Sequence, residues 1–218
     1  MNPSMNMIVR FLWWVALLGG ASLLLGAWMP PAASMQNAHV VGDEHIRLAG
    51  SWYGLKDTGE GGDKLANTFT GLLGIGLDDR TELQFRFDHF DFSDSDVGWE
   101  FVSIGAKVDL AEDRLALILP LGMYAHDGIE WSTAQIQPGV IGTLQAGQYA
   151  EIGASGKILV PFDQDNLIWL TLGIGIGLSN DLDRWSIIPE IGYSVCLDET
   201  DIDPVFSYGI TLTYLPAP

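Results

Sequence analysis

A regular two-residue alternation of apolar with polar or small residues, present from residue 44 onward, constrains the fold most. In residues 81–88, Leu83, Phe85 and Phe87 alternate with polar residues. In residues 168–178, Leu and Ile occupy every second position, mostly with Gly between them. Successive side chains of a strand point to opposite faces. Each block therefore predicts a strand with one apolar face and one small or polar face.

Ten such blocks follow one another along the chain. A tilted strand needs about 9–11 residues to cross a bilayer, and each block reaches that length. The connections alternate between short ones and mostly longer, acidic ones, which is typical of transmembrane barrels. Because lipid offers no partner to a bare strand edge, the sheet must close. We predict an all-β fold, a closed antiparallel up-and-down transmembrane β-barrel of ten strands, or of eight if two blocks are not strands. The blocks are 44–56, 67–78, 81–92, 98–110, 114–124, 132–144, 148–160, 166–178, 184–197 and 204–215.

A soluble barrel of the lipocalin type is the alternative. Such a barrel keeps its apolar side chains inside and shows polar ones to water. Here the second face is rich in Gly, Ser and Thr, which a narrow interior can hold, and the acidic residues gather in the connections. The pattern therefore favours lipid outside. The net charge of −18 also excludes a generic affinity for nucleic acid.

Aromatic residues near the strand ends predict two girdles at the membrane interfaces. Trp52, Trp99, Trp131 and Trp169 belong to the end with long connections, and Trp185 and Tyr214 to the other end.

Pro120, Pro138 and Pro189 lie inside predicted strands. A closed barrel has no edge strand in which a missing backbone donor is harmless. We therefore expect β-bulges at these positions.

Residues 1–34 are organised like a secretory signal peptide. Arg10 precedes an uncharged apolar run from Phe11 to Met29, and Pro30-Pro31 and small residues follow. We expect cleavage after Ser34, within a few residues, and a barrel over 35–218. The apolar run approaches the ~20 residues that span a bilayer, so an uncleaved anchor is the alternative.

The last block resembles the recognition signal in the final strand of bacterial outer-membrane β-barrel proteins. That signal reads polar, any, Gly, any, any, hydrophobic, any, aromatic, and Ser207, Gly209, Leu212 and Tyr214 match it in turn. The chain departs from the pattern by continuing for residues 215–218. The resemblance implies location in the outer membrane, contact with its lipid and lipopolysaccharide, and insertion by the barrel assembly machinery. It points to no particular subfamily.

The strand register points nine charged side chains inward. Ionised groups inside a narrow barrel are costly unless they are paired, and these charges nearly balance. We therefore predict a lumen network that largely fills the barrel, and a structural or surface-interaction role. A narrow channel for small solutes and an enzyme active at the rim are the alternatives. The predicted lumen residues are Arg47, Glu82, Arg86, Asp88, Lys107, Asp109, Glu151, Lys157 and Glu190.

Two features could carry chemistry. Asp88-His89 and His126-Asp127 pair a histidine with a carboxylate, as in acid–base catalysis. The acidic connections 91–96 and 198–203 could bind Ca²⁺, although they lack the glycine and the final Glu of an EF-hand loop. We expect solvated loops, with no catalytic residue, metal site or cofactor.

Overall fold

The computed structural model describes residues 36–43, 45–59, 62–93, 98–125, 128–163 and 166–216; the predicted signal peptide lies outside them. Nearly all of the described chain is strand. None of its helical segments is long and apolar enough to cross a bilayer. The strands are β1 (Ile46–Asp57), β2 (Lys64–Asp78), β3 (Thr81–Phe92), β4 (Gly98–Asp109), β5 (Leu115–Ala125), β6 (Gln135–Ile136), β7 (Gly139–Gln145), β8 (Ala150–Pro161), β9 (Trp169–Leu178), β10 (Trp185–Cys196) and β11 (Val205–Tyr214), with a short 3₁₀ helix at Trp131–Thr133.

The strands form one closed antiparallel sheet in which neighbours in sequence pair, except for β6 and β7. The first and last strands close it, from Leu48 opposite Tyr214 to Asp57 opposite Val205. β6 and β7 both lie between β5 and β8, so they are two halves of one barrel strand. The barrel therefore has ten strands, which confirms the predicted fold and excludes the eight-stranded alternative.

The two faces of the sheet differ as the alternation predicts. Leu172, Ile174 and Ile176 on β9 are 52%, 50% and 47% exposed on the outer surface. Their neighbours Thr171, Gly175 and Gly177 are buried inside. A surface of exposed aliphatic side chains suits hydrocarbon and not water. The structure thus confirms lipid outside, and the lipocalin-type alternative is wrong.

The expectation of bulges at the prolines is wrong. The register of β5 against β6 and β7 is the same before and after Pro120 and Pro138, and β10 keeps its register with β9 across Pro189. Instead, the backbone hydrogen-bond ladder lacks residue pairs beside each proline. Pro120 and Pro138 lie on adjacent strands, so their missing donors fall at one place in the sheet. Their carbonyls still accept hydrogen bonds from the backbone N–H groups of Gln137 and Ile158, each at 2.9 Å.

The two ends of the barrel follow the predicted asymmetry. Connections 79–80, 110–114, 146–149 and 179–184 lie at one end, which we name the periplasmic end because outer-membrane barrels keep their short turns there. The connections at the other end, the outer end, are mostly longer.

The girdle prediction is wrong for two tryptophans. Trp169 is fully buried inside the barrel, and Trp99 packs against the buried hydrophobic side chains there. Both tryptophans occupy inward positions of their strands. Tyr214 is exposed on the periplasmic side, where a girdle can form, and Trp131 is 74% exposed in an outer loop.

Candidate functional site: the lumen

An aromatic cluster fills the outer half of the lumen. Phe90, Phe101 and Trp169 are fully buried, and the Phe101 and Tyr124 rings are 5.0 Å apart between centroids. Inward strand positions near the outer end carry these large side chains, so they meet across the barrel. We call this set the outer cluster; it consists of Tyr53, Leu55, Ala66, Phe90, Phe101, Tyr124, Leu159, Trp169 and Val205.

Paired charges occupy the middle of the lumen. Arg86 Nε lies 2.9 Å from both carboxylate oxygens of Asp88, which also accepts a hydrogen bond from Thr70 at 2.5 Å. Glu190 accepts hydrogen bonds from the Tyr53 hydroxyl and, at 2.7 Å, from Thr211. Lys157 is buried and interacts electrostatically with both Asp88 and Glu190. This central layer, Arg86, Asp88, Lys157 and Glu190, therefore has equal numbers of positive and negative groups.

A second charged layer lies near the periplasmic end. Arg47 and Lys107 supply its positive charges, and Glu82 and Glu151 supply its negative charges; all four side chains are buried. The Arg47 Nη2 atom lies 3.5 Å from the Glu82 carboxylate. We call this set the periplasmic layer.

The polypeptide just before β1 enters the periplasmic layer. Gln36, Asn37, Ala38 and Val41 are buried inside the barrel. We call residues 36–43 the lumen segment. It contacts the barrel wall through both backbone and side-chain groups, and its Gln36 side chain accepts a hydrogen bond from Gln84 at 2.6 Å. Lys107 Nζ donates to the carbonyls of Asn37 and His39 at 2.8 and 2.5 Å.

The other walls of the barrel complete this binding. Arg47 donates to the Asn37 side chain at 3.0 Å and to the His39 carbonyl at 2.5 Å. The Ala38 N–H donates to Thr143 Oγ1 at 2.7 Å, and the Val41 N–H donates to Glu82 at 3.2 Å. Strands β1, β3, β4 and β7 thus all hold the lumen segment.

Little space remains between the lumen segment and the central layer. A cavity of about 30 Å³ lies there, with Gln36, Arg86, Gln137 and Lys157 in its lining. This is roughly the volume of one water molecule in the liquid. The buried Gln137 amide nitrogen has no hydrogen-bond partner among the described residues, and a water in the cavity would supply one.

The structure places all nine predicted lumen residues at inward positions. Eight of them form the central and periplasmic layers. Asp109 lies instead at the rim, where its carboxylate accepts hydrogen bonds from the backbone of Ala111 and Asp113 in the β4–β5 turn. Of the terminal signal, Ser207 and Gly209 face the lumen, whereas Leu212 and Tyr214 are exposed on the outer surface.

The candidate catalytic pairs receive no support from the geometry. Asp88 and His89 are consecutive strand residues, so they point to opposite faces. Asp88 lies inside with Arg86, and His89 lies 3.5 Å from Glu100. His126 and Asp127 lie outside the described residues.

The acidic connections are only partly described, and residues 94–97 lie outside that part. Asp198 binds the backbone N–H of Ile168 at 2.8 Å and so joins two loops. No group of three or more potential metal ligands occurs in the described parts of the chain.

Sequence reasoning missed the lumen segment and the outer cluster. The lumen segment has no alternation that marks it as part of the barrel. The outer cluster could have been predicted from the sequence, because Phe90, Phe101, Tyr124 and Trp169 all occupy inward positions of the predicted register.

No family model matches this chain, and no curated protein does. Several solved structures share the barrel architecture. An outer-membrane channel from Pseudomonas putida F1 aligns with a TM-score of 0.49 and 10% identity, over 86% of this chain and 100% of that one. The translocator domain of the autotransporter NalP from Neisseria meningitidis gives 0.42 and 10%, over 81% and 89%. Ail, the attachment invasion locus protein of Yersinia pestis, gives 0.32 and 15%, over 80% and 99%. At these values the likeness carries nothing about function.

Proposed function

We propose that this protein, an outer-membrane β-barrel, is a structural or surface-interaction barrel that does not conduct solutes. The observation that carries the proposal is that the lumen is occupied along its length. The outer cluster fills one half, and the lumen segment with the periplasmic layer fills the other.

Charge pairing supports a permanent filling. Breaking a buried ion pair by removing one partner typically costs about 3–5 kcal/mol, because the other charge stays buried. An ion that entered the central layer would have to separate Arg86 from Asp88, or displace Thr211 from Glu190.

The outer loops supply a surface for interaction. The Phe162 N–H donates to the Ala134 carbonyl at 2.9 Å, and the Asn166 side chain donates to the Ser132 carbonyl at 3.0 Å. These contacts hold two loops together around the exposed Trp131. Tryptophan is enriched where protein surfaces make strong contacts.

Planar-bilayer recording of the purified full-length protein tests the proposal. We expect no steady conductance above the bare membrane. A steady conductance on the nanosiemens scale would refute it and would support the channel alternative.

We also propose that residues 1–34 are removed. The sequence supports this, because Arg10 precedes an uncharged apolar run that is followed by Pro30-Pro31 and small residues. The intact mass of membrane-extracted protein should match a chain that begins close to Met35. A mass that includes Met1 would contradict cleavage.

A further inference from the structure

The lumen segment is held as a peptide ligand is held in a binding site. Four of its backbone groups, the carbonyls of Asn37 and His39 and the N–H groups of Ala38 and Val41, bind side chains of the barrel wall. Side chains add to these contacts, since Gln84 donates to the Gln36 side chain at 2.6 Å and the His39 ring lies 3.3 Å from Glu151. The wall therefore recognises main-chain groups together with a few polar side chains. Other peptides can satisfy the same donors and acceptors.

The wall is built around this occupant. A methyl group added at Gly76 would overlap the carbonyl oxygens of Val41 and Gly42, so only glycine lets the segment pass. Ala38 is fully buried in an apolar group with Ala116 and Ile141, which leaves space for a small side chain alone. The two ends of the segment differ in burial, because Gln36 is buried in the lumen and Asp43 is exposed at the rim.

Without the segment, the site would be a recess that opens toward the periplasm and is lined by two positive and two negative side chains. Lys107 would lose both carbonyl acceptors, and Arg47 would keep Glu82 while it loses Asn37 and His39. Buried donors that lack acceptors are unfavourable, so the recess would favour a new ligand that supplies carbonyl oxygens.

We infer that the periplasmic half of the lumen is a binding site for a short peptide with a small residue at its third position. The protein's own residues 36–43 are its resident ligand, and a separate peptide binds there when that segment is absent. This inference rests on the filled lumen of the proposed function.

The first experiment measures whether the segment is seated. In a Cys196→Ala background, Val41→Cys places a small thiol at a buried position, and Asp43→Cys provides an exposed control on the same segment. We expect a membrane-impermeant maleimide to modify Asp43→Cys at least about tenfold faster than Val41→Cys. The Val41→Cys thiol should react only during the fraction of time in which the segment is released. Equal rates would overturn the inference.

The second experiment displaces the segment without touching its sequence. Gly76→Val should bring the labelling rate of Val41→Cys close to that of Asp43→Cys. Gly71→Val is the matched control on the same strand, because an added Cβ there meets nothing within 4 Å. The inference fails if Gly76→Val leaves labelling slow.

The third experiment supplies the ligand separately. A variant that lacks residues 36–41, checked for folding by its heat-dependent gel mobility, is mixed with a fluorescent blocked peptide of residues 36–43. We expect binding to this variant and not to the full-length protein. Binding should weaken at least about tenfold when Lys107→Met is added, as for lost hydrogen bonds to a charged group. A folded deletion variant that binds no peptide would overturn the inference.

These readouts separate the inference from the proposed function. Conductance by the full-length protein together with a protected Val41→Cys would refute the closed lumen alone. A barrel that does not conduct but is labelled rapidly at Val41→Cys would refute the peptide site alone.

Discussion

The two halves of the lumen are filled in different ways within one barrel. In the outer half, inward positions carry Phe90, Phe101, Tyr124 and Trp169, and these side chains reach the axis themselves. In the periplasmic half, Gly76 and Ala116 occupy inward positions beside the lumen segment, and both are too small to reach the axis. The same ten strands therefore leave a space at one end, and a polypeptide fills it. A given barrel radius can be filled by large side chains or by main chain.

We expect the largest loss of stability from a substitution in the outer half. Trp169→Ala removes a fully buried indole from the outer cluster, and large-to-small changes of this kind cost about 3–5 kcal/mol. Urea titration in detergent micelles, followed by gel mobility, measures the loss of unfolding free energy. Trp131→Ala is the control, because that side chain is exposed and should change little. Similar losses for both variants would contradict the buried cluster.

A smaller effect tests the periplasmic half. Lys107→Met keeps a long side chain but removes the ammonium that binds two carbonyls of the lumen segment. Hydrogen bonds to charged groups contribute about 1.5–3 kcal/mol, and we expect a loss of that order in the same titration. Lys64→Met, at an exposed position of β2, should leave the midpoint unchanged. Unchanged stability in Lys107→Met would mean that its buried charge contributes no net stabilisation.

The smallest effect compares two buried threonines, one in each half. Thr143→Val removes the acceptor of the Ala38 N–H and should cost about 1 kcal/mol. Thr68 lies in the outer half, and its buried hydroxyl has no hydrogen-bond partner among the described residues. Thr68→Val should therefore be neutral or slightly stabilising. If the two variants shift the unfolding midpoint equally, the backbone contact at Thr143 adds nothing.

The fold could be read from the sequence because alternation is a local signal. Each block reports its own strand, and Phe87 or Ile174 marks the lipid face without reference to any other residue. The same register also placed Arg86 and Glu190 inside. It could not say which charges interact, because Lys157, Asp88 and Glu190 belong to strands that are far apart in sequence.

The prolines and the lumen segment lay beyond this reasoning for a different reason. Whether a missing N–H demands a bulge depends on what lies opposite, and Pro120 lies beside the strand that carries Pro138. The segment at residues 36–43 has no periodic pattern. Its position follows from the empty space that small residues on other strands leave. Those residues are distant in sequence, so the pattern around residues 36–43 gives no sign of that space.

Closure of the barrel by β1 and β11 has a kinetic consequence. These strands hold the two ends of the described chain together, from Leu48 opposite Tyr214 to Asp57 opposite Val205. Contacts so distant in sequence carry the highest loop-closure entropy and form slowly. The lumen segment immediately precedes β1, and side chains of several strands hold it. Its binding site is therefore complete only when the last hydrogen-bonded seam of the wall has formed.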